Sequence, residues 1–142
     1  MTLFVYGTLL FDPVLEALLG RIPQRLPAAA PGWRVAAMEG RVYPGLVAAP
    51  GTEAPGVLLT DLGRREWAII ARYEEEGFAL REITLSSGRR ALTHVWLGTR
   101  VREENWDPQV FECYHLPGFV AWCASVAPEL TAEADRHKHC HP

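Results

Sequence analysis

Two short stretches of this chain hold residue types whose spacing suits chemistry. The first is Leu3-Phe4-Val5-Tyr6-Gly7-Thr8-Leu9-Leu10, an apolar strand running into a glycine-containing loop that Asp12-Pro13 closes with a helix start. Gly7 lacks a Cβ, so the chain can turn there and approach a ligand closely. Loop N–H groups, together with the partial positive charge of a helix N-terminus, suit an anion. The second is Glu74-Glu75-Glu76, closing a helix expected over residues 64–74. Trp67, Ile70, Ala71 and Glu74 stand there at i, i+3, i+4 and i+7, which puts Glu74 on the apolar face and turns Glu75 and Glu76 elsewhere. A carboxylate at the edge of an apolar cavity is partly desolvated, and its pKa rises toward the range where a general base works near neutral pH. The pattern alone also fits a plain strand and turn followed by a solvated acidic helix end.

Composition narrows the classes. With 142 residues, 49% hydrophobic and 22% charged, the chain matches one compact domain with a real core. The net charge of −3, with 14 scattered lysines and arginines, leaves no basic face for nucleic acid and no polybasic run for a membrane surface. No apolar run approaches the ~20 residues of a membrane span, and Met1 leads directly into a strand, so a cytoplasmic location is expected. Cys113, Cys123 and Cys140 form neither an even framework nor a CxxC pair, which points to reduced thiols.

The 11 prolines and 12 glycines separate short apolar runs without a repeat. Strands are expected at residues 2–6, 33–39, 41–46, 56–61, 79–85 and 91–97. Ser86-Ser87-Gly88 reads as a tight hairpin that pairs the last two antiparallel. Residues 25–32, with proline and a run of alanines, read as a surface loop. Helices are expected from Asp12 as N-cap through Leu19, over 64–74, and from Asp107-Pro108 onward. The last of these breaks at Pro117-Gly118, resumes through Phe119, Trp122 and Val126 to pack across the sheet, and stops at Pro128.

Read together, Val5-Tyr6-Gly7-Thr8-Leu9, Tyr43-Pro44-Gly45, Tyr73-Glu74, Arg81 and Trp106-Asp107 resemble the γ-glutamylcyclotransferase family, and within it the small AIG2-like branch. The resemblance covers most of residues 3–122. It implies an α+β fold, a small, mainly antiparallel β-barrel of about six short strands flanked by helices. It also implies an activity: the α-amine of a γ-glutamyl group attacks its own δ-carbonyl, giving 5-oxoproline and a free amine or amino acid. The implied partner is a small γ-glutamyl compound, with no metal or organic cofactor. Glu74 takes the part of general acid/base, and Tyr6, Gly7, Thr8, Leu9 and Arg81 that of substrate binding. Two positions depart from the family pattern. Ala71 stands where an aspartate is common, and Phe78 where a tyrosine is common. Anchoring the register on Arg81 moves the catalytic place to Glu75.

Other polar residues rank lower. His94 lies in an apolar strand and reads as a core or edge histidine, and His115 sits beside Tyr114 at a helix break. His137, His139, Cys140 and His141 read as a tail that would hold a metal only adventitiously. The expected organisation is a domain over residues 1–128 and a tail over 129–142. The competing reading is a non-catalytic module on the same fold that binds a small carboxylate or a protein partner, and Ala71 and Phe78 favour it.

Overall fold

The computed structural model describes residues 2–139. Its elements run β1 (Leu3–Val5), a 3-10 turn (Thr8–Leu10), α1 (Asp12–Leu19), β2 (Arg25–Met38), β3 (Gly45–Leu59), α2 (Arg64–Tyr73), β4 (Phe78–Thr84), β5 (Arg90–Trp96), β6 (Val101–Asn105), α3 (Pro108–Tyr114) and α4 (Leu116–His139). The sheet order is β4-β5-β1-β3-β2-β6, with a further pairing of β5 to β3. That extra pairing arises because the start of β3 meets β5 at Leu46 and Val95, while its end meets β1 from Val57 to Leu59. The sheet curls into a half-barrel. Its ladders are antiparallel except for the parallel contacts of β5 with β1 and β3. No helix among the described residues is long and apolar enough to cross a membrane.

The strands match the expected number but not the expected positions, and two of them are far longer than the sequence pattern suggests. Residues 25–32, expected as a loop, form the first half of β2, and the expected strands at 41–46 and 56–61 are replaced by the continuous β3. The prolines explain both the expectation and its failure. Pro27, Pro31 and Pro55 all fall on alternate rungs of one ladder, opposite Val57, Glu53 and Ala29. Alternate rungs of an antiparallel pair exchange no hydrogen bonds, so each proline sits where its missing N–H is not required. The sixth strand, β6, is short and almost wholly exposed, and carries no apolar pattern to reveal it. The hairpin forms as expected: β4 and β5 pair from Phe78 with Trp96 to Thr84 with Arg90, and Gly88 takes a positive φ of 87° in the turn.

Two cores lie on opposite faces of the sheet. Strand alternation sends Leu3 and Val5 toward Val14, Leu15, Leu18, Ile69 and Ile70 of the helices, and Phe4 and Tyr6 into the curl beside Val35, Leu46, Leu58 and Val95. A strand buried on both faces reads as an unbroken apolar run, as β1 does.

The helix ends hold two corrections. Asp12 is the first residue of α1 and not its cap; Phe11 takes the cap position and Asp12 instead pairs with Arg25. Asp107 does cap α3, accepting from the N–H groups of Gln109 at 2.9 Å and Val110 at 3.4 Å. The chain breaks at His115 and α4 then passes through Pro128 to His139. Ala134 is buried and Leu130 packs against the helix-side core, where Arg65 also meets Asp135 at 2.9 Å. This packing outweighs the hydrogen bond lost at Pro128. α4 lies against α1 and α2, not across the sheet. The side chains of His137 and His139 and all of Cys140 and His141 lie outside what is described.

Candidate active site

A cleft of about 660 Å³ opens between the end of β1, the end of α2, the segment before β3 and one face of α4. β1 delivers Tyr6, Gly7, Thr8 and Leu9 to its wall. A Cβ on Gly7 would come within 2.8 Å of Pro44 Cγ, so glycine here lets the loop lie flat against the Tyr43-Pro44 segment. Leu10 N–H donates to the Gly7 carbonyl and Phe11 N–H to that of Thr8. The N–H groups of Thr8 and Leu9 precede those bonds and are not consumed by the turn. Thr8 Oγ1 and the Tyr73 hydroxyl share a hydrogen bond of 2.6 Å, which ties the loop to the end of α2.

The Tyr6 ring lines the cleft, but its hydroxyl is committed. It donates to the His94 carbonyl at 2.6 Å. Burial first, and Glu74 second, push its pKa well above the usual phenol value. Tyr6 therefore acts as a brace.

Glu74 caps α2, its N–H donating to the Ile70 carbonyl at 3.1 Å, and its backbone turns extended. That turn, and not the helical face, aims the side chain inward, since Ala71 on the supposed apolar face is exposed. Burial, and then the neighbouring Glu75, push the Glu74 carboxyl up to about 7. His94 Nδ1 lies 3.8 Å from Glu74 Oε1. Burial lowers His94 to about 4, so near neutral pH the imidazole is uncharged and the contact is not an ion pair.

Glu75 has the opposite surroundings. Arg41 approaches its carboxylate at 2.9 and 3.0 Å, and the Tyr43 hydroxyl donates to it. Burial raises Glu75, but these partners outweigh it and hold the carboxyl below its ordinary value. Arg41 also lies 5.0 Å from the Trp96 ring centre. Two adjacent carboxylates are thus driven apart, one toward neutrality and one locked in an ion pair.

Arg81 is not at the cleft. It is exposed on the edge strand β4, its guanidinium on the adjacent Leu80 carbonyl at 3.2 Å. Phe78 lines the cleft, and strand alternation puts Arg81, three residues on, across the sheet. The cleft's own cation is Arg72, 3.8 Å from Glu133. Trp106 and Asp107 act at a distance: Trp106 Nε1 donates to the Val42 carbonyl at 2.8 Å and steadies the segment carrying Tyr43 and Pro44. His115 is exposed outside the cleft. Among the described residues no three potential metal ligands cluster.

Sequence reasoning did not pick out Arg41, Arg72 or the α4 face, and it set His94 aside. Phe119, Trp122 and Val126 gave a signal as a helical apolar stripe, which suits a cleft wall as well as a core.

The family described as γ-glutamyl cyclotransferase, AIG2-like, matches residues 3–114. The chain belongs to this family. Within it, the chain is 27% identical to AIG2-like protein D of Arabidopsis thaliana over 137 residues, 91% of this chain and 90% of that one. AIG2-like protein B of the same plant is 25% identical over 83% of this chain and 73% of its own length. Among solved structures, a γ-glutamyl cyclotransferase superimposes with a TM-score of 0.52 at 14% identity, over 99% of this chain and 88% of its own. That likeness shows the family's fold.

Proposed function

We propose that this family member is a γ-glutamyl cyclotransferase whose acid/base is Glu74. The observation that carries the reading is a near-neutral carboxyl at the wall of a cleft whose other side is the Tyr6–Leu9 loop. In the reaction, the substrate's α-nitrogen forms a bond to its δ-carbon while the amide bond to the leaving amine breaks. Two protons pass from the attacking ammonium to the departing nitrogen. A carboxylate near pH 7 is suited to take each and return it, because its driving force is balanced in both directions. The N–H groups of Thr8 and Leu9 would face the substrate carboxylate or the charge developing on the carbonyl oxygen. Holding the glutamyl unit folded brings amine and carbonyl together and lowers the entropic part of the barrier. Arg72, already 3.8 Å from Glu133, stands in place of Arg81 as the cation at the cleft wall.

The test is 5-oxoproline release from γ-glutamyl dipeptides, γ-glutamyl amines and glutathione by the wild-type chain and Glu74→Gln. Release abolished by the substitution supports the reading. Release that survives it moves the base elsewhere, and no release from any substrate favours a binding module.

A further inference from the structure

The cleft is larger than a γ-glutamyl unit requires; its volume falls in the range of sites for drug-sized ligands. Past Glu74 it continues along Tyr73 to Phe119, Trp122, Val126 and Leu130. The four α4 residues lie beyond residues 3–114, the part that matches the family. Their aromatic rings are arranged about Tyr73: Phe119 meets it edge-on at 6.3 Å, and Trp122 lies 6.2 Å from it and 5.6 Å from Phe119. Trp122 stays 48% exposed. Such a wall gains by covering apolar surface. Farther out, Glu129 and Glu133 line the same cleft. Arg72 sits 3.8 Å from Glu133, whereas Glu129 has no ion-pair partner among the described residues.

We propose that this α4 wall is the leaving-group subsite, and that the substrate is the γ-glutamyl amide of an apolar or aromatic amine without a carboxylate. The proposal rests on the cyclotransferase reading, because it takes the glutamyl end to sit at Glu74 and the amide nitrogen to point toward Tyr73. A leaving group ending in a carboxylate would face Glu129 and lose affinity.

Three substrates separate the contributions: γ-glutamyl phenethylamide, γ-glutamyl ethylamide and γ-glutamyl-phenylalanine. Each is assayed for kcat/KM with the wild-type chain and Trp122→Ala, and for calorimetric binding to Glu74→Gln. The phenethylamide should exceed the ethylamide about tenfold, the scale of a well-placed aromatic contact, and the dipeptide about fivefold. Trp122→Ala should collapse the phenethylamide-to-ethylamide ratio through KM. Val126→Trp, which fills the wall, should collapse it independently. Equal use of phenethylamide and ethylamide, or a Trp122→Ala loss that is the same for both, overturns the subsite. Ring-selective binding by Glu74→Gln without turnover by the wild type keeps the subsite and removes the cyclotransferase reading. The absence of both selective binding and selective turnover overturns the subsite.

Discussion

The Tyr6 hydroxyl donates to the main-chain carbonyl of His94 at 2.6 Å, across 88 positions of sequence. Through this bond the residue that opens the N-terminal loop holds the strand whose next group, the His94 imidazole, stands against Glu74. Loop and base are therefore positioned by one another.

Glu74→Gln should reduce 5-oxoproline release by at least about a hundredfold, the usual scale of a general acid/base. Its effect on stability has a definite sign. The folded pKa of about 7 lies above the ordinary carboxylate value of 4.5, so between these pH values the folded chain binds more protons and loses stability as pH rises. The substitution removes that loss. Urea unfolding should show Glu74→Gln gaining on the wild type by on the order of 3 kcal/mol at pH 8 and little at pH 4.5. A wild type that is equally ahead at both values would contradict the inward carboxyl.

Turnover should rise through pH 7 as Glu74 loses its proton, while His94, lowered to about 4, stays neutral throughout that limb. Proton NMR of the histidine ring should find His94 without a titration step between pH 5 and 8. A His94 step near 7 would reassign the limb.

Glu75→Gln should keep 5-oxoproline release and cost stability. It strands Arg41 beside Trp96 without its partner. Both groups are about one-third exposed, so solvent screening keeps the loss small, read as a slightly lower denaturant midpoint.

Gly7→Ala should destabilise by about 1–3 kcal/mol, because the new methyl meets the Pro44 ring. Pro44→Ala in the same chain should restore part of the loss. A double variant no better than the single would place the strain elsewhere.

Arg81→Ala should leave kcat/KM within about twofold, as expected of an exposed residue away from the cleft. Arg72→Ala should raise KM for every γ-glutamyl substrate.

Much of this was legible in the sequence, and the failures share a cause. The 86–88 hairpin depends on Gly88 and its immediate neighbours, so local chemistry suffices. Pro27, Pro31 and Pro128 looked like stops because their tolerance is decided by a distant partner: the free side of a ladder rung, or a core that holds a helix together past a missing bond. Glu74 was found as an inward carboxylate through a periodicity that Ala71 does not obey; the extended cap after Tyr73 does the aiming. The opposite charge tendencies of Glu74 and Glu75 arise only once Arg41 and Tyr43 are folded beside the latter.

β1 is three residues long, yet it contributes to both cores and pairs with both β3 and β5. Detaching it would open both sides of the molecule at once, so the loop it carries has no low-energy route to local opening. Amide hydrogens of Phe4 and Val5 should exchange with solvent at the rate of whole-molecule unfolding. A substrate would meet a wall on this side that is either fully assembled or absent.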